Sequence, residues 1–310
     1  MEQTTLGRSG IEVSRLILGC GNFGGIGSSP AFFGQGESEA QAFALMDAAW
    51  AAGITTFDTA DAYGGGRSET FIGNWIRSRG VRPVLTTKTF NPMEEGADRG
   101  LSRERIRRQL ETSLERLGVE RIDLYLSHAM DPATTIEETA AAFDELRREG
   151  TIGAWGGSNV DAAWIETARP AYVQNSYSLL DRVDEGSVIP LCVREGIGYS
   201  PFSPLAGGWL TGKYRRGEQP PAGSRMTLRP GPYEHLQAET TFAALESFEA
   251  LASARETTPA GLAFAWLLAQ PYVSAVVVGP RSPEQLQPAL DALELQLSPR
   301  EAESIAAVFA

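Results

Sequence analysis

The chain has 310 residues, 42% of them hydrophobic, and a formal net charge of −12 at neutral pH. That length can bury a large core and no shift in composition divides it, so one domain over 1–310 is expected, while the acidic balance excludes a general nucleic-acid or anionic-membrane surface. Two cysteines, Cys20 and Cys192, show neither metal-ligand spacing nor a disulfide framework, and no signal-peptide pattern or apolar run of about 18 residues is present, so a soluble, cytoplasmic protein in a reduced compartment is expected.

The N-terminus predicts a hairpin, Thr4 to Leu6 with Glu12 to Ser14, turning at Arg8-Ser9-Gly10. Apolar runs then predict strands near 15–19, 55–58, 84–88, 122–127, 151–156, 172–175, 197–200 and 274–278. Between them, amphipathic or alanine-rich segments predict helices near 38–52, 68–79, 102–117, 136–149, 161–168, 187–195, 240–255 with 259–269, and 283–293. Eight strand–helix units in succession predict an α/β fold, a closed parallel (β/α)8 TIM barrel with an N-terminal hairpin. Ser38 with Gln41 and Ser282 with Gln285 fit capping boxes, and Pro259 and Pro283 suit first helical turns. An additional C-terminal helix near 298–308 opens on another box, Ser298-Pro299-Arg300-Glu301, and is expected to pack outside the barrel. The segment 204–239, rich in Gly, Pro and Arg, leaves the seventh barrel strand as a long irregular excursion.

Gly19-Cys20-Gly21-Asn22-Phe23-Gly24 matches G-x-G-x-x-G after a strand. In a doubly wound fold that pattern must open a helix directly. Here Gly25-Ile26-Gly27-Ser28-Ser29-Pro30 follows instead, so the run reads as a glycine-rich loop at the mouth of the first strand.

Polar residues at the ends of consecutive strands carry the chemistry. Asp58 ends the second strand and Tyr63 lies in its loop, Lys88 ends the third and His128 the fourth. Taken singly, each has a bland reading: a turn Asp, a loop-anchoring Tyr, a solvated Lys. Together, a barrel would deliver a carboxylate, a phenol, an amine and an imidazole to one cavity. A nearby ammonium would draw the phenol's pKa down from about 10, making it an acid for a carbonyl oxygen, with Asp58 holding Lys88 charged and His128 orienting the carbonyl. The one other histidine, His235, stands alone in the irregular segment, so no metal is expected, and no G-x-S-x-G sequence occurs. A Schiff-base reaction at Lys88 on another barrel enzyme is the rival chemistry.

The strings FDTADAYGGGRSE (57–69), LTTK (85–88), IDLYLSH (122–128), GGSN (156–159), VQNSYSLLDR (173–182), SPFSPLAGGWLTGKY (200–214) and VVVGPRSPEQL (276–286) resemble, in order, the motifs of the aldo-keto reductase superfamily. The resemblance implies reduction of an aldehyde or ketone, possibly sugar-like, by a nicotinamide cofactor, NADP(H) preferred and NAD(H) possible, with Tyr63 as general acid. It further implies that Ser158, Asn159 and Gln174 hold the carboxamide and that Phe202 stacks on the nicotinamide. Ser203, Leu205, Gly207 and Lys213 would wrap the pyrophosphate, and Gly279, Arg281, Ser282 and Gln285 would meet the adenosine phosphate. A helix starting at Pro283 would add unsatisfied amides to that anion site. Pro288-Ala289 stand where similar family members carry Glu-Asn at the adenine. Phe23, Phe32, Phe33 and Trp209 are expected to wall the substrate pocket. The partner expected is therefore a small carbonyl or alcohol, with neither nucleic acid nor membrane; the alternative the resemblance allows is a regulatory subunit with slow turnover, like potassium-channel β subunits.

Overall fold

The computed structural model describes residues 1–310. All eight barrel strands form, and the hairpin pairs β1 (Gln3–Thr5) with β2 (Glu12–Ser14), one residue earlier in its first arm than expected. The barrel strands are β3 (Leu16–Gly19), β4 (Thr56–Asp58), β5 (Val84–Thr89), β6 (Ile122–Ser127), β7 (Ile152–Ser158), β8 (Tyr172–Gln174), β9 (Gly198–Tyr199) and β10 (Val276–Val278). They lie in the order β10-β3-β4-β5-β6-β7-β8-β9, every ladder parallel. The two edges meet where the Ser274 N–H donates to the Tyr199 carbonyl at 2.8 Å and the Val277 N–H to the Pro201 carbonyl at 3.0 Å. The sheet thus closes on itself, and at this seam Pro201, which has no N–H, takes part through its carbonyl alone.

The helices around it are α1 (Glu39–Ala51), α2 (Arg67–Arg79), α3 (Arg103–Leu117), α4 (Ile136–Glu149), α5 (Ala162–Ala168), α6 (Val188–Glu195), α7 (Arg225–Leu228), α8 (Glu239–Ser253), α9 (Pro259–Leu268), α10 (Gln287–Asp291) and α11 (Pro299–Ala306). Their ends follow local chemistry. Ser38 and Gln41 form the expected capping box on α1, as do Ser298 and Glu301 on α11. Thr258 caps α9 ahead of Pro259, and Gly80, Gly118, Gly150 and Gly196 stop α2, α3, α4 and α6 in the left-handed conformation. Helix α11 packs outside the barrel, where its Ala302 carbonyl accepts from the Trp266 indole.

Three expectations change. The helix expected over 283–293 is a 3-10 turn, Pro283–Leu286, followed by the five-residue α10. Ser282 caps nothing, and the Gln285 side chain accepts instead from the Arg281 N–H at 2.9 Å. No α-helical N-terminus therefore stands there to present amides to an anion. The segment 204–239 is not wholly irregular, since it contains 3-10 turns at Ala206–Thr211 and Gly231–Leu236 and the short α7.

Apolar side chains form two cores. The larger lies between strands and helices and includes Leu45, Phe57, Trp75, Phe143, Trp155 and Trp266. The smaller unites Leu6 and Val13 of the hairpin region with Ile17, Leu124, Leu126, Ala154, Tyr172, Ala275 and Val277 of the strand region, so the hairpin stoppers the N-terminal end of the barrel. Its fit is close: Gly7 has φ +50°, and a Cβ there would stand 2.0 Å from the Gly198 nitrogen. No helix is long and apolar enough to cross a membrane.

The stopper is testable. Gly7→Ala combines a left-handed backbone with a direct clash, and should lower the urea-unfolding free energy by at least about 2 kcal/mol more than Gly10→Ala. Gly10 is the control because its φ is +70° but nothing lies within 4 Å of the added methyl. Equal losses would show that the hairpin is not wedged against β9.

Candidate active site

The buried ion pair of Lys88 and Asp58 is the centre of the site. Lys88 Nζ donates to Asp58 Oδ1 at 2.8 Å and Oδ2 at 2.5 Å, and to the Thr59 carbonyl at 2.9 Å. The residues are 1% and 3% exposed. They stand at the ends of β5 and β4, whose register sets Asp58 opposite Thr86. Burial alone would discharge the Lys88 amine, but the charge of Asp58, with help from Tyr63, outweighs it and holds the ammonium above its ordinary range.

Tyr63 and His128 close over this pair. Lys88 Nζ lies 5.1 Å from the Tyr63 ring centre. The His128 ring meets Tyr63 edge-on with centres 5.4 Å apart. Burial first, then the Lys88 charge, holds the imidazole well below its ordinary value, so it is neutral, and its Nδ1 is buried without a partner. For Tyr63 the expectation is corrected in sign. Lys88 does pull the phenol down, but burial outweighs it and leaves the phenol above its ordinary value.

The loop bearing Tyr63 is held along the top of β5. Asp61 N–H donates to the Lys88 carbonyl at 2.9 Å, and Thr59 N–H to the Thr86 carbonyl at 2.8 Å. Gly64, Gly65 and Gly66, all at positive φ, then turn the chain straight into α2. Beneath the loop lies a polar layer that strand-end reasoning missed. Glu69 is fully buried, accepts from the Thr87 hydroxyl at 2.6 Å, and pairs with Arg116 at 3.2 Å. Asp61 is buried with both carboxylate oxygens unpartnered, and burial and then Glu69 push it up to about 7. The available signal was the acidic residues at 61 and 69 within FDTADAYGGGRSE.

Beyond this cluster, further polar and aromatic residues stand at the C-terminal ends of β7 to β10. Gln174 Nε2 donates to Asp58 Oδ1 at 2.9 Å and to the Tyr172 hydroxyl at 3.2 Å. Asn159, exposed and at φ +56°, donates through Nδ2 to the His128 carbonyl at 2.8 Å and to Ser158 Oγ at 3.1 Å. Phe202 is half-buried, its backbone bridged to Ser176. Ser203 is also at φ +56° and shares a 3.0 Å hydrogen bond with Tyr233. Leu205 precedes the turn that holds Gly207, where a Cβ would meet the Tyr233 ring at 2.6 Å. Cations gather farther along. Partial desolvation, then the charges of Arg225 and Arg281, lower the pKa of the Lys213 ammonium. Gly279, Ser282 and Gln285 flank Arg281.

These residues fit a nicotinamide dinucleotide: amides and a half-exposed aromatic face adjoin the Lys88 cluster, and Lys213, Arg225 and Arg281 offer positive charge for phosphates. Arg281 is not free, however. Its Nε donates to Glu37 Oε1 at 2.6 Å and its NH1 to the Gly223 carbonyl at 3.0 Å. Arg225 and Glu37 had no motif to mark them. Pro288 and Ala289 serve packing, with Ala289 buried in the core. Of the four expected pocket aromatics, Phe23 and Trp209 are 1% and 2% exposed, and Trp209 packs against Tyr214 and Phe242. Phe32 and Phe33 are half-buried. No three His, Cys, Asp or Glu side chains converge as a metal-holding set.

Known proteins resemble this chain over nearly its whole length. The model of the Aldo/keto reductase family matches residues 15–310. An oxidoreductase of Bacillus subtilis, YrpG, is 37% identical over 96% of this chain and 92% of its own. The NADH-specific methylglyoxal reductase of Escherichia coli is 32% identical over 97% and 96%, and a putative voltage-gated potassium channel β subunit of Schizosaccharomyces pombe is 34% identical over 93% and 87%. Among solved structures, a glycerol dehydrogenase of Gluconobacter oxydans superposes with a TM-score of 0.85 over 99% of this chain and 95% of its own, at 27% identity. The chain belongs to the aldo/keto reductase family of NAD(P)H-dependent oxidoreductases.

Proposed function

We propose that this chain reduces an aldehyde or ketone to the alcohol, with Tyr63 as general acid. The observation that carries the reading is the buried Lys88 ammonium, 2.5 and 2.8 Å from the Asp58 oxygens and 5.1 Å from the Tyr63 ring. Ser158, Asn159, Gln174 and Phe202 would hold the nicotinamide end of the cofactor, which would supply the hydride. Tyr63 donates its proton to the carbonyl oxygen as negative charge develops there. Because burial keeps the phenol above its ordinary pKa, it holds that proton at neutral pH until the oxygen becomes basic. Lys88 then stabilises the phenolate left behind, and Asp58 keeps Lys88 charged. His128, a neutral imidazole, orients the carbonyl.

Ser203, Leu205, Gly207 and Lys213 are assigned to the pyrophosphate, and Gly279, Arg281, Ser282 and Gln285 to the adenosine end. Taken alone, Arg281 favours NADP(H) over NAD(H), with NAD(H) usable. Two relatives are named for methylglyoxal and glycerol, so short oxygenated carbonyls head the panel of substrates. The likeness to a potassium channel β subunit favours a second reading, a cofactor-binding regulatory subunit; turnover below about one per minute on the whole panel, with cofactor bound, would select it.

Tyr63→Phe should slow single-turnover NADPH oxidation by roughly 10²- to 10⁴-fold while cofactor affinity stays within about twofold. Lys88→Met should behave similarly. Near wild-type rates in Tyr63→Phe would return Tyr63 to the role of loop anchor.

The pH profile gives a separate check. His128 is held well below its ordinary value by burial first and then by the Lys88 charge, so kcat for reduction should show no inflection where a free imidazole titrates, at about 6.5. It should fall only at alkaline pH, where the Tyr63 proton is lost. A limb near 6.5 that vanishes in His128→Gln would contradict the assignment of a neutral imidazole.

A further inference from the structure

Glu37 is 4% exposed at the end of the loop that follows β3. Backbone hydrogen bonds fix its position: its N–H donates to the Asn22 carbonyl at 2.8 Å, and its carbonyl accepts from the Gly24 N–H at 2.9 Å. One carboxylate oxygen accepts from Arg281 Nε at 2.6 Å, and the other, Oε2, is buried with no partner. Arg225 lies within the same field and bonds the neighbouring Asn22 through NH2 at 3.2 Å.

We propose that Glu37 is the residue that sets cofactor preference, working against a 2′-phosphate and in favour of a 2′-hydroxyl. The inference rests on the assignment of Arg281 to the adenosine end of the cofactor. An arginine grips a phosphate best with two parallel N–H groups along one edge of the guanidinium. Glu37 occupies Nε on one edge, and the Gly223 carbonyl takes a donor from NH1 on the other. A dianionic phosphate arriving at Arg281 must displace Glu37 and then remain beside its buried carboxylate, a like-charge contact of the kind that builds specificity by exclusion. A ribose hydroxyl meets the opposite situation. It can donate to a carboxylate, the chemistry by which acidic residues select the unphosphorylated dinucleotide in other folds, and it brings no charge to compete with Glu37 for Arg281. Glu37 therefore offsets the preference that Arg281 alone would give.

Calorimetric titration of NADPH and NADH into the wild type, Glu37→Gln and Arg281→Ala tests this without turnover. The wild type should bind the two with dissociation constants within about threefold. Glu37→Gln should tighten NADPH by about tenfold or more and leave NADH within twofold or weaken it. Arg281→Ala should weaken NADPH more than NADH. If Glu37→Gln leaves NADPH unchanged or weaker while Arg281→Ala still weakens it, the phosphate assignment stands and Glu37 merely orients Arg281, which overturns the proposal. If Arg281→Ala affects neither cofactor, the assignment of Arg281 fails and the proposal with it. Should Glu37→Gln not fold, the wild type decides alone: NADPH more than tenfold tighter than NADH overturns the inference.

Discussion

Everything at the mouth of this barrel depends on keeping one ammonium charged where water cannot reach it. Moving a lysine head group out of water costs several kcal/mol after relaxation, and only a well-aligned counter-ion with further acceptors recovers it. Asp58 supplies both oxygens and Thr59 a carbonyl. The geometry comes from neighbouring strands rather than flexible loops, so it is built as the sheet closes. The same constraint explains the surroundings. Gln174 gives Asp58 a further donor, and burial first, then the ammonium's charge, keeps the His128 imidazole from taking a proton. A phenol above the ammonium is the one acidic group whose neutral form is comfortable there and whose anion Lys88 would welcome.

The polar layer under α2 shows how the barrel carries this arrangement outward. Glu69 is bound by Thr87 on β5 and by Arg116 on α3, and Arg116 also reaches the Asp61 carbonyl at 3.3 Å. One carboxylate thus joins a strand, two helices and the Tyr63 loop. Removing a partner from such a network leaves a buried charge uncompensated, which couples the placement of the phenol to the packing of α2 and α3.

Much of this was legible in the residues. Strand-sized apolar runs separated by helix-sized amphipathic ones declared the barrel, and Asp58, Lys88 and His128 declared its mouth because each ends such a run. Caps with one local partner, Ser38 and Ser298, were legible for the same reason: the physics is contained within four residues. What was not legible is long-range. Ser282 has the sequence of a cap, but the Arg281 N–H takes Gln285 first, and Arg281 is itself held by Glu37, 244 residues away. Trp209 and Phe23 look like loop aromatics because their neighbours are glycines, yet the loops fold back and bury them. The sign of the Tyr63 shift turned on burial and, after the opposing pull of Lys88, on the Asp58 charge, a balance set by three-dimensional packing.

The hairpin at the opposite end carries a consequence for traffic. With Leu6 and Val13 packed into the interior cluster and Gly7 wedged against Gly198, the barrel is a flask with one neck. Any molecule that reaches Lys88 must therefore come from the side of the strands' C-terminal ends. The direction of approach to the ion pair is thus set on the far side of the protein, by residues that lie nowhere near it in the fold.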